Sequence, residues 1–176
     1  MAYDPQWTRT FDDYRRRLGE QLGSVARRID HIGSTSVPEL AAKPIVDIQL
    51  SVDDLADEAS YVPGCERVGF ELYSRDDVHR FFHVPPPSAR VAQLHVCQSG
   101  GAFERDHVLF RDFLRTHEEA RTNYATTKRA AAQRWNDDRV AYTYAKNDLI
   151  LNLMDEANEW AAQTDWSVGD DGLTAS

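Results

Sequence analysis

Apolar residues near the start of the chain follow helical spacing. The apolar positions of this segment are Phe11, Tyr14, Leu18 and Leu22. Because they recur every three or four residues, they line one side of a helix, which we predict over residues 12–22. A second short helix is predicted over residues 53–60, where Ser51 or Asp53 can cap the first turn.

Five stretches have the β-branched and aromatic content of strands. They lie at residues 25–32, 45–50, 66–73, 80–84 and 90–96. Alternation is clear in the last of them, where Val91, Gln93 and His95 share one face. Pro63 and Gly64 are expected to break the chain before the third strand.

From Phe103 onward the apolar spacing is that of helices. Its apolar positions include Leu109, Phe113, Tyr124, Ile150, Leu153 and Trp160. A helical segment is predicted to continue through Trp135, and the last helix covers residues 139–160. Residues 163–176 hold aspartates and glycines with little apolar surface, so we expect an acidic, mobile tail. Residues 1–162 are predicted to form one α+β domain, a mixed sheet followed by a helical part.

The candidate functional segment covers residues 30–52, and the other predicted elements form the scaffold around it. Its first apolar run stops at Gly33, and a hydroxyl-rich turn follows. A short helix is predicted over residues 37–42, because Ser36 and Glu39 have the spacing of a capping box. The strand that comes next completes a pattern of turn, short helix and strand.

Residues of this stretch suggest phosphate and metal chemistry. Exposed N–H groups after a glycine at a helix start bind phosphate oxygens, so Gly33 and Ser34 are candidate phosphate ligands; an ordinary strand-to-helix turn explains them equally well. Asp47 lies between apolar strand residues, where an unpaired buried carboxylate is costly, so we expect it to face a partner, a metal ion or a substrate cleft. A carboxylate there can hold Mg²⁺ bridging phosphates. Gln49 falls on the same face and either binds substrate or is solvated.

Composition limits the classes of function. The chain has 176 residues, of which 41% are hydrophobic and 28% charged, as in globular proteins. A formal net charge of −9 argues against broad binding to nucleic acid or to an anionic membrane. No apolar run has the length of a membrane span and the N-terminus has no signal-peptide core, so we expect a cytoplasmic protein. Cys65 and Cys97 are expected to be buried small apolar residues.

Several motifs together carry a family resemblance. They are YDPQW at residues 3–7, HIGSTSVP at 31–38, AKPIVDI at 42–48, RFF at 80–82, LHV at 94–96 and FRDFL at 110–114. With these residues the chain resembles the GrpB family, a branch of the polymerase-beta-type nucleotidyltransferase fold, over nearly its whole length. The resemblance implies a nucleotidyltransferase-like fold. Some members of the family are appended to dephospho-coenzyme A kinase.

The chain departs from the pattern of active nucleotidyltransferases at two positions. Those enzymes carry a second acid two residues after the first and a third acid on a later strand. Here the corresponding residues are Gln49 and His95, and Asp47 is the one acid of the set. Chemistry with two metal ions relies on several carboxylates, whereas one Mg²⁺ can be held by Asp47, phosphates and waters.

The remaining candidates are basic and aromatic. His95 either binds metal, acts as a general base or is a structural histidine. The resemblance adds residues for binding the nucleotide, each of which has an ordinary structural alternative. These candidates are Lys43, Arg80, Tyr124, Lys128, Tyr144 and Lys146. An ion pair between Arg111 and Asp112 is interpreted as structural, which leaves Arg80 as the better arginine for the cleft.

Two functional hypotheses follow. The first is a Mg²⁺-dependent nucleotidyltransferase-like enzyme that moves a nucleoside monophosphate from a nucleoside triphosphate to a small acceptor. The second is a nucleotide- or coenzyme-binding module without transfer activity. Both require that the Gly33 turn and Asp47 share a pocket. A carboxylate on the far side of the sheet, or sealed inside the core, would refute both.

Overall fold

A computed structural model describes the backbone of residues 1–86, 91–134 and 139–169, and the side chains within these ranges except residues 131–133 and 139–148. The elements, in chain order, are α1 (Gln6–Leu22), β1 (Arg28–Ile32), β2 (Val46–Val52), α2 (Glu58–Val68), β3 (Glu71–Arg75), β4 (His79–His83), β5 (Ala92–Gln98), α3 (Ala102–Thr116), α4 (Glu118–Arg134) and α5 (Arg139–Thr164). Short 3-10 turns at Gly23–Val25 and Ser34–Ser36 flank β1. The predicted α+β class is confirmed.

The strands form one mixed sheet in the order β1-β2-β5-β4-β3. Only β2 and β5 run parallel, and the other neighbouring strands are antiparallel. This order places β5 beside β2, although the hairpin of β3 and β4 lies between them in sequence. Side chains of Cα partners lie on the same face of a sheet, so the registers define two faces.

Helices α1 and α2 cover the apolar face of the sheet. The sheet residues buried there include Ile29, Ile48, Leu50, Leu94, Val96 and Phe82. The helices contribute Phe11, Tyr14, Leu18, Tyr61 and Cys65. Because β2 and β5 are central, their inward side chains are almost completely removed from water, and this burial is the main contribution to the stability of the first unit.

The opposite face is polar. Along the four strands β1, β2, β5 and β4 it carries Asp30, Asp47, Gln49, Ser51, His95, Cys97 and His79. The first turns of α3 cover part of this face, since Glu104 contacts Gln49 and Phe103 stacks on His79. Buried polar groups are costly unless they have hydrogen-bond partners, so a face that carries several of them is a candidate functional surface.

The second helix differs from the prediction. It covers Glu58–Val68 rather than residues 53–60, and Pro63 and Gly64 lie inside it instead of breaking the chain. Any side chain at position 64 would collide with Leu22 at the end of α1. Pro63 cannot donate one backbone hydrogen bond of the helix, and the free energy gained by packing α2 closely on α1 outweighs this loss. The sequence pattern does not show that packing.

The helix predicted over residues 37–42 is also absent. The chain instead makes the 3-10 turn Ser34–Ser36, and Glu39 adopts a left-handed conformation with φ 67°. Val37 and Leu40 are both buried. A residue in the left-handed region cannot continue a right-handed helix, so the chain bends at Glu39.

The chain divides into two compact units. The first comprises Met1–Val108 together with the residues from Val168, and the second comprises Leu109–Ser167. Within the second unit, Trp166 donates a hydrogen bond to Asp112 and packs near Trp160. The last helix ends at Thr164, beyond the predicted end at position 160. Residues 170–176 lie outside the described residues, and the mobile tail over residues 163–176 stays a prediction. The single domain over residues 1–162 stays a prediction.

Among the residues that the structure describes, no helix combines the length and the apolar content that crossing a bilayer requires. Cys65 and Cys97 are both buried and free, as the sequence predicted. Burial raises the pKa of each thiol to about 12.

Candidate functional site

The bend after β1 is held from both sides. The backbone N–H and the hydroxyl of Ser36 donate hydrogen bonds to the carbonyl of Gly33, at 3.2 and 2.6 Å. On the core side, Nε2 of His31 lies 2.9 Å from the hydroxyl of Thr35. The His31 ring stacks on Phe11 of α1, with centroids 4.8 Å apart. The bend is therefore a fixed feature of the fold.

Gly33 brings this bend against Asp47. The register of β1 and β2 pairs Ile32 with Asp47, so the residue after β1 lies beside the carboxylate. Gly33 has φ 67° and ψ −170°, a conformation that essentially only glycine adopts. A Cβ at this position would lie 2.5 Å from Oδ2 of Asp47. Asp47 is 31% exposed and Ser34 is half-buried, so both side chains reach solvent next to the bend.

His95 approaches Asp47 from the neighbouring strand. Because Asp47 is paired with Gln93 and Gln49 with His95, the Asp47 and His95 side chains are diagonal neighbours on the polar face. Nε2 of His95 lies 3.7 Å from Oδ1 of Asp47, and the imidazole is 20% exposed. The structure thus brings together the two residues that the sequence analysis named as catalytic candidates.

Gln49 shares the face of Asp47 but is fully buried. Its Nε2 donates a hydrogen bond of 3.3 Å to the backbone carbonyl of Glu104 on α3. Oε1 of Gln49 and Oε2 of Glu104 are both buried without a hydrogen-bond partner among the described residues. The prediction that Gln49 binds substrate directly is corrected, because the first turn of α3 covers this side chain.

A hydrogen-bonded chain links the β3–β4 turn to His95. Oδ2 of Asp76 lies 2.9 Å from Nδ1 of His79, and Nε2 of His79 lies 3.3 Å from Nδ1 of His95. Oδ1 of Asp76 accepts the backbone N–H groups of Val78 and His79, so the turn itself fixes the carboxylate. The hydrogen bond from His79, followed by the one from Val78, lowers the pKa of Asp76.

Aromatic rings hold this chain in place. The ring of Phe103 stacks on His79 with centroids 4.9 Å apart and an interplanar angle of 12°. His107 stacks on Phe103 from the next turn of α3 and hydrogen-bonds the Phe103 carbonyl. Burial lowers the pKa of His107. His107 holds the Phe103 ring in place, and Phe103 in turn packs flat on His79, so rotation of the His79 ring is restricted.

Arg80 lies on the other face of the sheet. Its Cα partner is Val96, a core residue, and its Nε donates a 2.6 Å hydrogen bond to Glu58 of α2. The prediction that Arg80 enters the cleft is therefore wrong. Its guanidinium also donates to the backbone carbonyl of Asp76, so Arg80 braces the turn that carries the Asp76 carboxylate.

The remaining candidates are distributed over both units. Lys43 is exposed on the loop before β2. In the helical unit Tyr124 is buried against Phe110, and the ammonium group of Lys128 lies 5.1 Å from the centre of the Tyr124 ring. The side chains of Tyr144 and Lys146 lie outside the described residues. The nucleotide-binding roles of these four helical residues stay predictions. Arg111 is buried and pairs with Asp112 at 2.7 Å, the structural pair expected.

The donor groups at the site fit one divalent cation and not two. Asp47 offers carboxylate oxygens and His95 an imidazole nitrogen, and a single Mg²⁺ ordinarily completes its shell with waters and phosphates. Within the described ranges, no three His, Cys, Asp or Glu side chains come together as a metal cluster. His79 and His83, four residues apart on a strand, are separated by about 13 Å and cannot share an ion.

Sequence reasoning missed Asp76 and His79 as partners of His95. Alternation along β4 places His79 and Phe81 on one face, and the pairing of β4 with β5 turns that face toward His95. The order of strands in the sheet is a tertiary property that the sequence pattern does not contain. The one available indication was the run of two aspartates and a histidine in a predicted turn.

Comparison with known sequences identifies close relatives. A family model described as GrpB protein matches residues 1–156. A UPF0157 protein of Halalkalibacterium halodurans is 43% identical over 90% of this chain and 81% of its own length. A UPF0157 protein of Streptomyces coelicolor is 41% identical over 88% of this chain and 81% of its length. A dephospho-CoA kinase of Mycolicibacterium paratuberculosis is 30% identical over 93% of this chain, which spans only 46% of the kinase.

Solved structures support the same relationship. The crystal structure of the conserved protein GrpB from Enterococcus faecalis superposes with a TM-score of 0.79, at 30% identity, over 91% of this chain and 98% of that one. A cytoplasmic RNA terminal U-transferase superposes with a TM-score of 0.51 at 15% identity, over 80% of this chain and 44% of that one. The second match is a likeness of fold alone. With the family model spanning residues 1–156, we conclude that the chain belongs to the GrpB family and has a nucleotidyltransferase-like fold.

Proposed function

We propose that the site formed by Gly33, Ser34, Asp47 and His95 binds a nucleoside triphosphate with a divalent cation. The observation that carries the proposal is the contact between the bend and Asp47. Because Gly33 has no side chain, the carboxylate of Asp47 lies directly against the backbone of the bend, and this carboxylate is partly exposed. This combination suits a polyphosphate with a bound cation, because the cation offsets the repulsion between phosphate and carboxylate charges.

The proposed reaction is transfer of a nucleoside monophosphate to a small acceptor. Gly33 and Ser34 position the phosphates, Asp47 holds the cation, and exposed Lys43 balances charge. A bound Mg²⁺ would neutralise charge that develops on the phosphate oxygens. His95 has two possible uses, to take the proton of the acceptor or to bind the cation, and both require Nε2 without a hydrogen. We place this activity in the cytoplasm.

A second candidate function is binding without transfer. Gln49 occupies the position of a second acid and is engaged with Glu104, which favours a site that holds one cation at most. Two-metal phosphoryl transfer relies on several carboxylates, and Gln49 stands in place of one of them. The match to a dephospho-CoA kinase adds coenzymes with an adenine nucleotide to the ligands of this candidate.

Two measurements test the proposal. Calorimetry with a nucleoside triphosphate panel and dephospho-coenzyme A, with and without Mg²⁺, should show binding that requires the cation. Pyrophosphate release over a panel of small acceptors should then fall by roughly 100-fold or more in Asp47→Ala. Asp12→Ala, which removes an exposed carboxylate of α1, is the matched control and should behave as the wild type.

The outcomes separate the candidates. Tight cation-dependent binding without turnover across the acceptor panel supports the binding module. Unchanged pyrophosphate release in Asp47→Ala refutes the transfer mechanism. A wild-type protein that binds none of these ligands refutes both functions.

A further inference from the structure

The series of hydrogen bonds that joins Asp76, His79 and His95 ends beside Asp47. Its three steps are 2.9 Å from Asp76 to His79, 3.3 Å from His79 to His95 and 3.7 Å from His95 to Asp47. Each imidazole uses one nitrogen toward the preceding residue and one toward the next. The arrangement therefore determines where hydrogens lie on the two rings, provided that one end of the chain is fixed.

Asp76 fixes that end. An ionised carboxylate only accepts hydrogen bonds, so Nδ1 of His79 must carry the hydrogen that it donates to Asp76. In a neutral ring the other nitrogen is then an acceptor, and Nε2 of His79 receives a hydrogen bond from Nδ1 of His95. Nε2 of His95 is left with a lone pair that faces Oδ1 of Asp47.

A lone pair and a carboxylate oxygen that face each other repel unless a proton or a metal cation lies between them. We infer that Asp76 and His79 are positioning residues that hold His95 in its Nδ1–H tautomer, so that His95 and Asp47 together offer one nitrogen and one oxygen to a divalent cation. This inference deepens the proposed function, on which its cation site rests. Partners that orient a ligating histidine commonly contribute 10- to 100-fold in metal affinity, so about that loss is expected without them.

The donor pair also selects among cations. Imidazole nitrogen raises affinity for first-row transition ions relative to Mg²⁺, which prefers oxygen ligands. We therefore expect the isolated protein to bind Mn²⁺ more tightly than Mg²⁺. The preference should depend on His95 and, through it, on His79.

Variants can separate the hydrogen bonds from the packing. His79→Phe keeps a flat ring against Phe103 but removes both hydrogen bonds. His79→Gln retains a carbonyl oxygen that can accept from His95 and should restore much of the wild-type behaviour. Asp77→Asn is the matched control for Asp76→Asn, because Asp77 is the next residue of the same turn and is exposed.

The tautomer is measured directly by two-bond ¹⁵N–¹H NMR on protein labelled with ¹⁵N-histidine, at a pH where the imidazoles are neutral. The wild type and Asp77→Asn should show His95 with its hydrogen on Nδ1. In His79→Phe the hydrogen should move to Nε2 in most molecules, and Asp76→Asn should shift the balance in the same direction. Hydrogen on Nε2 in the wild type, or an unchanged tautomer in His79→Phe, overturns the inference.

Binding of Mn²⁺ is measured by electron paramagnetic resonance on the same samples. Echo modulation should show a directly bound ¹⁵N nucleus in the wild type, and His79→Phe should bind Mn²⁺ about 10-fold or more weakly. A wild type with the expected tautomer that binds Mn²⁺ without a nitrogen ligand overturns the donor role of His95. Because neither readout uses a nucleotide, failure of nucleotide binding rejects the proposed function while these results still decide the inference.

Discussion

Replacing Gly33 by alanine perturbs the bend and the carboxylate at the same time. The backbone at Gly33 has φ 67° and ψ −170°, where a Cβ is strained, and the added methyl group would lie 2.5 Å from Oδ2 of Asp47. Strain of this kind costs about 1–3 kcal/mol, and forcing Asp47 off its rotamer costs roughly 0.5–1.5 kcal/mol more. We expect Gly33→Ala to lower the free energy of unfolding by about 1.5–4.5 kcal/mol.

The two contributions can be separated with a double-mutant cycle. Asp47→Ala removes Oδ2 and Cγ, two of the three Asp47 atoms that the new methyl group would meet, and leaves Cβ at 3.1 Å together with the backbone strain. Gly33→Ala should therefore be less destabilising in the Asp47→Ala background, with a coupling free energy of about 0.5–2 kcal/mol. The free energies come from urea unfolding curves with a common slope.

Gly100→Ala is the matched control for backbone strain. Gly100 has φ 70°, nearly the same as Gly33, but a Cβ there meets no atom within 4 Å. Gly100 lies just after the last residue of β5, whereas Gln93, the Cα partner of Asp47, lies near the start of that strand. Gly100→Ala should cost about 1–2 kcal/mol and be additive with Asp47→Ala. Equal coupling in both cycles, or none for Gly33, would refute a contact between the bend and the carboxylate.

Two further predictions concern the stability and accessibility of the first unit. Arg28→Ala leaves the buried carboxylate of Asp30 without its bidentate partner, so we expect the free energy of unfolding in urea to fall by about 3–5 kcal/mol. Arg16→Ala, at an exposed position of α1, should leave the unfolding midpoint unchanged. Equal midpoints for the wild type and both variants would contradict the role of burial. Burial raises the pKa of the Cys65 and Cys97 thiols to about 12, so at pH 8 both are protonated and iodoacetamide should label neither in the native protein. Mass spectrometry should find both labelled in urea, and rapid native labelling would contradict the burial.

The sequence was informative where local and tertiary preferences agree. Asp47 lies on a strand that was predicted over residues 45–50 and is found at Val46–Val52, and the bend at Gly33 depends on a conformation that glycine accommodates. Prediction failed where packing overrides local tendency. Pro63 and Gly64 lie within α2, which packs closely on α1 at Gly64, and a bend at Glu39 replaces the helix predicted over residues 37–42.

The solvent exposure of side chains in the site could not be predicted from the sequence either. Asp47 and Gln49 share one face, as alternation requires, but α3 covers Gln49 and leaves Asp47 partly open. His79 and Asp76 join the site only because β5 lies between β2 and β4 in the sheet. Arg80, one residue from His79, falls on the opposite face because side chains alternate along a strand. Contacts made by strand order and by a covering helix have no local pattern in the chain.

The account depends on the bend and Asp47 forming one binding site for a polyphosphate and its cation. The most direct test is a crystal structure with a non-hydrolysable ATP analogue and Mn²⁺, in which anomalous scattering locates the ion. The account predicts the ion within bonding distance of an Asp47 oxygen and the phosphates against Gly33 and Ser34. An ion and phosphates bound away from Asp47, with the bend empty, would contradict it.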